Sequence, residues 1–343
     1  MSDNVPRTSA AGGQVLSIGL VGAGEIVSRV HLPVLSACEG IRIAYIADKN
    51  AAAAKRVAAS YSTAAITVAG DLEQLPHTDV ALLALPVNAR LPYYELFARR
   101  GTHVLAEKPF AATAAEAEHV RALYPDYALA CGFQRRIYGS VVLAQKVVAE
   151  QWFGPLRSIS VAEGALTTKT GIDSRFYDEA GASSGGVLMD LGCHSLDLAL
   201  QISGATEAIP SEQHFVFDGD IDREVEARLQ LRTGDGFCHL NYLVTWLRPT
   251  SNTIELHFDH CTAALSCRPS AELAIHGSNN GLQRAALQMD RSGASTVYQA
   301  FFLEWMAFLE GVRNRQPSQF SLQSCLPTIR TVEALYSLGR SRQ

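Results

Sequence analysis

The sequence predicts an α/β protein in which a doubly wound parallel sheet is followed by an α+β domain with an open, mostly antiparallel sheet. Three observations predict this class. Near the start, a short apolar strand runs directly into a glycine turn and a helix. Strands and helices then alternate to about residue 132, and segments with a two-residue apolar period replace them after residue 133. The first pattern is typical of parallel sheets, and the second is typical of antiparallel sheets with one covered face.

The first predicted strand is Val15–Val21, which ends in a Gly-Ala-Gly turn. The segment that follows, residues 25–37, has apolar residues at helical spacing. Strand, glycine turn and helix in this order are typical of dinucleotide-binding folds. In such folds, Gly22 allows the tight turn and Gly24 lets a pyrophosphate approach the helix N-terminus. Val27 stands at the third glycine position of that motif, which predicts slightly wider packing of the helix on the sheet.

The second predicted strand, Ile41–Ala47, ends in Asp48, 24 residues after Gly24. A carboxylate at this distance is expected to accept hydrogen bonds from the adenine ribose hydroxyls. Asp48 therefore favours NAD, because it would repel the 2′-phosphate of NADP. Lys49 beside it could instead receive that phosphate, which leaves NADP open. The alternative is that Asp48 caps the helix predicted over residues 50–60, and one side chain can serve both roles.

Three further strands complete the predicted parallel sheet: Asp79–Leu85, His103–Ala106 and Tyr127–Gly132. Helices are predicted over residues 88–100 and from the capping box at residues 113–116. Sheets of this kind bind ligands at the carboxyl ends of their strands. Lys108 follows such an end and precedes Pro109, so we expect its side chain to point into the ligand crevice. The alternative is an ordinary surface lysine.

After residue 133, the pattern predicts a helix over residues 138–151 and then a series of antiparallel strands. The predicted strands are Arg157–Val161, Glu224–Arg232, Phe237–Val244, Thr253–Phe258, Ala263–Ser266 and Glu272–His276. A turn at residues 233–236 is expected to close a hairpin, and two helices are expected over residues 297–313 and 322–338. The predicted division is a disordered start at 1–13, a dinucleotide-binding domain at 14–133, a substrate and oligomerisation domain at 134–320, and a C-terminal helix at 321–343 that packs back on the first domain.

The composition is that of an ordinary globular protein. The 343 residues carry a formal net charge of −5, and no block of Lys and Arg residues occurs, which argues against a nucleic-acid partner. Seven cysteines without a Cys-x-x-Cys pair predict neither a zinc site nor a disulfide framework, and we expect no metal. No secretory signal and no run of about 18 apolar residues is recognised, so we expect a cytoplasmic protein without a membrane partner.

The stretch Gly185–Asp197 places three ionisable side chains in an otherwise apolar run. In an α-helix, Asp190, His194 and Asp197 would stand at i, i+4 and i+7 on one face. Burying a charge is costly unless it is paired or used, so two interpretations are open. His194 is either a core histidine held by a carboxylate, or it faces a cleft with Asp190 and transfers protons. Asp197 is expected to be structural, holding the helix or the imidazole.

Several motifs occur in one order along the chain: Gly19–Ile26 followed by His31-Leu32-Pro33, Glu107-Lys108-Pro109, Gly132–Arg136, Phe153–Leu156, and Gly185–Asp197 with its Asp-x-x-x-His core. Together they resemble the glucose-fructose oxidoreductase / inositol dehydrogenase (Gfo/Idh/MocA) family from Val15 to the C-terminal helix. The resemblance implies a Rossmann domain and a second sheet whose exposed face makes homodimers or homotetramers. One departure is Arg90, which stands where the family often has histidine and concerns the contacts on the nicotinamide side.

The resemblance also implies an NAD(P)-dependent enzyme that interconverts a secondary alcohol and a ketone on a cyclic polyol, sugar or sugar nucleotide. Lys108, Asp190 and His194 match the family's catalytic lysine, aspartate and histidine. His194 would be the acid/base, Asp190 would orient it or bind a neighbouring hydroxyl, and Lys108 would polarise the reacting oxygen. Two alternatives are a non-catalytic dinucleotide or sugar sensor and an NAD-dependent glycosidase.

Two sets of further site residues are expected. Those expected to contact the dinucleotide are Gly22, Gly24, Glu25, Ile26, Asp48, Lys49, Leu85, Pro86, Asn88, Glu107 and Lys108. Those expected at the substrate rim are Arg135, Arg136, Arg175 and Tyr177. For the arginines, a solvated surface charge is the alternative.

Overall fold

The computed structural model describes residues 15–61, 72–167, 185–234, 236–277, 285–288 and 293–340. The chain divides into two compact units. The first unit takes most of the chain to residue 132 and also residues 301–324, and the second takes residues 112–114, 133–300 and 325–343. The predicted disorder at 1–13 and the predicted substrate residues Arg175 and Tyr177 lie outside the described residues.

The first unit is built on a parallel sheet, here called the first sheet. In its described part, five strands stand in the order β2-β1-β3-β4-β5: β1 Leu16–Val21, β2 Ile41–Ala47, β3 Val80–Leu83, β4 His103–Ala106 and β5 Leu129–Cys131. All neighbouring pairs are parallel, and β3 is buried along its whole length. The predicted doubly wound parallel sheet is therefore confirmed. Winding reverses between β1 and β3, so their carboxyl ends border the crevice where such sheets bind ligands.

Helices of the first unit follow the predicted alternation. They are α1 Leu32–Ser36, α2 Ala51–Ala59, α3 Leu91–Arg100 and α4 Ala114–Ala122. A π-helical turn, Val27–His31, leads into α1, and the amide of Leu32 donates to the carbonyl of Val27. Pro33 consequently lies in the first turn of α1, where its missing N–H costs least.

The second unit is built on a larger sheet, here called the second sheet. Across the described ranges, eight strands stand in the order β13-β12-β11-β10-β6-β9-β8-β7. They are β6 Ser158–Gly164, β7 Glu207–Asp218, β8 Ile221–Thr233, β9 Gly236–Thr245, β10 Thr253–His257, β11 Cys261–Ser266, β12 Glu272–Gly277 and β13 Ala285–Gln288. Among these described pairs, β6 with β9 is parallel and the others are antiparallel. The mostly antiparallel second sheet is thus confirmed.

Strand β8 shows why the second sheet has one covered face. Its side chains are alternately buried (Val225, Ala227, Leu229, Leu231) and exposed (Glu226, Arg228, Gln230). The register pairs Thr233 with Gly236, so the hairpin predicted there is confirmed. A two-residue period of this kind leaves a polar outer face opposite the core.

The sequence did not predict β7 and β13, which are the two edges of the second sheet. An edge strand has one neighbour and little apolar surface to bury, so its pattern is weak. In β7, most side chains are partly or fully exposed, and Pro210 lies at a register shift against β8. Proline is tolerated at such an edge position because its missing N–H breaks no ladder bond.

The remaining helices are α5 Gly139–Ala149, α6 Cys193–Ser203, α7 Val297–Asn314 and α8 Leu322–Arg340, with a π-helical turn Leu188–Gly192 leading into α6. The predicted packing of residues 321–343 on the first domain stays a prediction. Residues 301–324 belong to the first unit, and residues 325–343 belong to the second. Within the second unit, Tyr336 of α8 donates a 2.7 Å hydrogen bond to Asp222, and its ring lies tilted beside that of Phe215, with centroids 5.8 Å apart.

Two further findings concern the described residues alone. None of the helices described here is long and apolar enough to cross a membrane. No group of three or more His, Cys, Asp or Glu side chains in the described ranges could hold a metal ion.

Candidate functional site

The turn after β1 requires a glycine at the point where it approaches the end of β3. Gly22 has φ of +107°, and a Cβ built on it would lie 2.3 Å from the carbonyl oxygen of Ala84. A side chain is therefore excluded there. A Cβ built on Gly24 would meet nothing within 4 Å, so the backbone at this position faces open space. The amides of the following first helical turn lack intrahelical acceptors, and a pyrophosphate can approach them.

Asp48 joins the end of β2 to this turn. Its Oδ2 accepts a 2.7 Å hydrogen bond from the amide of Ala23, and its Oδ1 accepts one of 2.7 Å from the amide of Asn50. Helix α2 is capped by the Asn50 side chain, which accepts from the amides of Ala52 and Ala53. The alternative that Asp48 caps this helix is therefore wrong. Each carboxylate oxygen keeps a second lone pair for a ribose hydroxyl, so Asp48 fits a dinucleotide.

Replacing Asp48 with Ser is expected to weaken NAD binding by about 10- to 100-fold, because hydrogen bonds to a charged group contribute about 1.5–3 kcal/mol. NADP binding should change less, since the repelling charge is lost and Lys49 remains exposed beside the site. Dissociation constants of both dinucleotides, measured by calorimetry, check the prediction. Asp126→Ser, at an exposed aspartate of the same unit, is the control. Equal losses for NAD and NADP would contradict the proposed discrimination.

The other residues expected to contact the cofactor all belong to the first unit. Those exposed are Glu25, Ile26, Lys49 and Asn88, and those partly buried are Leu85, Pro86, Glu107 and Lys108. This range of exposure is compatible with a binding surface, and their contacts with a cofactor stay a prediction.

The Glu107 carboxylate is held by a buried chain of hydrogen bonds. Its Oε1 lies 2.8 Å from Nε2 of His31, and Nδ1 of His31 accepts a 3.0 Å hydrogen bond from Nε1 of Trp305. Because an indole N–H can only donate, the ring proton of His31 lies on Nε2 and is donated to Glu107. Burial raises the pKa of Glu107, but this hydrogen bond and the charges of Lys108 and Arg90 outweigh it and hold the pKa low. Lys108 thus directly follows Glu107, whose carboxylate is ionised and held in place. The sequence offered no signal for Trp305, which lies far along the chain.

Arg90, the departure from the family pattern, is buried. Its Nε donates a 2.8 Å hydrogen bond to the carbonyl of Leu85, and its Nη1 donates to the carbonyls of Glu107 and Pro109. The side chain therefore binds backbone rather than presenting its charge at a surface.

In the second unit, Asp222 and two tight glycines anchor the start of the helix that carries His194. Asp222 is fully buried and accepts hydrogen bonds from the amides of Gly186 (2.6 Å) and Leu188 (2.8 Å). A Cβ on Gly186 would lie 2.1 Å from the carbonyl oxygen of Asp222, and one on Gly192 would lie 2.6 Å from the hydroxyl of Tyr242. Asp222 was not singled out from the sequence, because its partners lie more than 30 residues away.

The three ionisable side chains in and after the π-helical turn differ in their exposure. Asp190 is partly exposed, His194 is 5% exposed, and Asp197 is 1% exposed. The ring of His194 packs edge-on against Phe133, with centroids 5.8 Å apart. A single α-helical phase therefore does not describe this stretch, and π-helical turns are frequent at functional sites.

Asp197 forms a buried ion pair with Arg136. The Nε–Oδ2 and Nη2–Oδ1 distances are 2.8 and 2.6 Å, both side chains are 1% exposed, and Thr328 donates to Oδ1. The structural role expected for Asp197 is confirmed, with Arg136 rather than the imidazole as its partner. The expected position of Arg136 at a substrate rim is wrong, because its guanidinium is buried in the core and paired with Asp197.

Replacing Arg136 with Met is expected to lower the free energy of unfolding by about 3–5 kcal/mol, because it leaves the Asp197 carboxylate buried and unpaired. The double variant Arg136→Met/Asp197→Leu should recover most of that loss, since no buried charge then remains. Urea unfolding followed by circular dichroism measures both. A loss below about 1 kcal/mol for the single variant would show that the pair does little for stability.

Arg135 is paired as well, through a 2.7 Å hydrogen bond from Nη1 to Oε1 of Glu163. Burial lowers the pKa of Arg135, but Glu163 more than restores it, and the pKa is raised. With its side chain 15% exposed, Arg135 is not the solvated surface charge that was the alternative. Its contact with substrate stays a prediction.

Comparisons with known proteins agree with this architecture. The model of an oxidoreductase family with an NAD-binding Rossmann fold matches residues 16–131, and the model of the GFO/IDH/MocA C-terminal domain matches residues 141–264.

Two relatives have names that describe reactions of sugars. The dTDP-3,4-didehydro-2,6-dideoxy-alpha-D-glucose 3-reductase of Streptomyces antibioticus is 30% identical over 191 residues, which cover 55% of this chain and 57% of that protein. The D-glucoside 3-dehydrogenase of Escherichia coli (strain K12) is 24% identical over 200 residues, which cover 57% and 56%. The chain thus spans little more than half the length of these relatives.

Among solved structures, the aldose-aldose oxidoreductase of Caulobacter crescentus complexed with glycerol superimposes with a TM-score of 0.82 at 19% identity, over 96% of this chain and 99% of that one. At this identity the likeness shows the fold.

Proposed function

Because the chain belongs to the Gfo/Idh/MocA oxidoreductase family, we propose that it interconverts a secondary alcohol and a ketone on a cyclic polyol, sugar or sugar nucleotide with NAD(P). The observation that carries the proposal is the glycine turn at Gly22 and Gly24, tied through Asp48 to β2. That arrangement fits the pyrophosphate and adenine ribose of a dinucleotide. A bound nicotinamide supplies the acceptor or donor of the hydride.

The remaining chemistry falls to side chains of this chain. Lys108 donates a hydrogen bond to the reacting oxygen and stabilises the charge that develops on it. His194 takes the hydroxyl proton in oxidation and returns it in reduction. Asp190 orients the imidazole or binds a neighbouring hydroxyl. These roles rest on the motifs that match the family and on the anchored segments that carry them.

The relatives' names support oxidation or reduction of a sugar over the two alternative functions, a non-catalytic sensor and a glycosidase. Both relatives described above are named for oxidation or reduction at carbon 3 of a hexose. Sugars with a free 3-hydroxyl therefore come first among the candidates.

A substrate panel tests the proposal. Inositols, hexoses, glucosides and nucleotide sugars are incubated with NAD and NADP in parallel, and the absorbance of reduced nicotinamide is followed. We expect turnover with at least one ring alcohol. Release of a free aglycone without net cofactor reduction would instead indicate the glycosidase, and dinucleotide binding without turnover in either direction would contradict the proposed enzyme.

We also propose a homodimer or homotetramer that forms through the outer face of the second sheet. Support comes from its central strands, where Ser160, Asn241 and Glu255 are cross-strand neighbours on a polar surface at least partly open to solvent. Light scattering of the purified protein tests the assembly, and a monomer would contradict it. The cytoplasmic location stays a prediction from the sequence.

A further inference from the structure

Arg90 lies immediately before α3, with its side chain directed into the first unit. The Arg90 residue is 3% exposed, and its guanidinium reaches three backbone carbonyls. One, of Leu85, belongs to the segment that follows β3. The other two, of Glu107 and Pro109, belong to the segment that follows β4.

The two carbonyls after β4 flank Lys108 directly. The carbonyl of Glu107 is part of the peptide bond that leads into Lys108, and the carbonyl of Pro109 is the second one after it. Hydrogen bonds from an ionised donor are roughly twice as strong as neutral ones. Because the guanidinium is planar and rigid, binding these carbonyls fixes their separation and direction.

We propose that Arg90 is a positioning residue for Lys108: by holding the backbone on both sides of the lysine, it fixes the point from which the ammonium acts. This inference rests on the proposed function and names a residue that serves it. The chain from Trp305 through His31 holds the Glu107 side chain independently, so the segment is fixed at both its backbone and its side chain.

Neither lysine nor histidine can reproduce these contacts. A lysine carries its donors on one nitrogen, whereas Arg90 uses two nitrogens to reach separate strand ends. A neutral imidazole has one N–H donor, and a protonated one has two that point in opposite directions. The histidine common at this position in the family would therefore leave at least one of the three carbonyls unbound.

A double-mutant cycle with Lys108 separates positioning from simple stabilisation. Arg90→Met should lower kcat by about 100-fold, the cost expected of misplacing a catalytic group by about 1 Å. In the Lys108→Met background the same change should alter kcat less than about twofold, because no ammonium remains to be misplaced. Tyr124→Phe is the matched control, since it removes a 2.6 Å hydrogen bond to the carbonyl of Tyr94 in the same unit but takes no partner from Arg90.

A spectroscopic measurement tests the inference without any turnover. The chain has five lysines, Lys49, Lys55, Lys108, Lys146 and Lys169, so reductive methylation with ¹³C-formaldehyde gives a readable NMR spectrum. The Lys108 signal is assigned by its loss in Lys108→Met. In Arg90→Met it should shift and broaden while the other four stay in place, and in Tyr124→Phe it should stay unchanged.

The outcomes are distinguishable. Equal loss of kcat in both backgrounds, or an unmoved Lys108 signal, would overturn the positioning role and show a merely structural arginine. If no panel compound is turned over, the proposed function fails, yet the NMR experiment still decides whether Arg90 fixes Lys108. Should Arg90→Met not fold, Arg90→Lys keeps the charge, is expected to lose at least one carbonyl contact, and replaces it in both experiments.

Discussion

Replacing Lys108 with Met is expected to lower kcat by about three orders of magnitude while changing the dinucleotide Kd by less than about threefold. Methionine has a similar length and apolar stem but cannot donate to the reacting oxygen or stabilise charge on it. The glycine turn and Asp48, which are proposed to bind the cofactor, are unchanged. Initial rates with the best panel substrate and calorimetric titration of NAD measure the two quantities.

The same substitution at an exposed lysine is the control. Lys146 lies on α5 in the second unit, where its ammonium is 4.0 Å from the carboxylate of Glu150. Lys146→Met should leave both kcat and Kd unchanged. Near-normal turnover of Lys108→Met would remove the lysine from the proposed chemistry, and a loss of NAD binding equal to the loss of kcat would reassign it to the cofactor.

Local patterns predicted much of the fold because each strand of the first sheet is short, apolar and followed by its own turn signal. Val15–Val21 and Ile41–Ala47 were placed within one residue of the observed β1 and β2. Where burial is shared among distant segments, local patterns fail. The end of the chain shows this, since Tyr336 of α8 binds Asp222, a residue 114 positions earlier in the chain.

The same distinction between local patterns and distant contacts applies to the residues of the candidate site. Gly22, Gly24 and Asp48 could be recognised because their spacing along the chain follows from the strand–turn–helix geometry itself. Arg136 could not be assigned, because its partner Asp197 is 61 residues away and a sequence does not show which arginine is buried. Arg90 was visible as a departure from the family pattern, but its three carbonyl partners emerge only in the folded chain.

Replacing His194 with Ala is expected to lower kcat by about 10²- to 10⁴-fold, the usual contribution of a general acid–base group. The limb of the pH profile of kcat/KM that reports this base should vanish. Added imidazole should restore part of the rate, because it can enter the space that the side chain leaves. His119→Ala, at an exposed histidine of α4 in the first unit, is the control and should change none of these quantities.

This experiment decides between the two interpretations of the histidine. His194 is 5% exposed and packs edge-on against Phe133, as a core histidine also would. A packing role predicts a lower free energy of unfolding, a moderate fall in kcat, an unchanged pH profile and no rescue by imidazole. A proton-transfer role predicts the opposite for the last two readouts, because they depend on the imidazole nitrogen and not on the volume of the ring. An unchanged pH profile without rescue by imidazole would therefore show that His194 is a core histidine, and it would contradict its proposed role as the base.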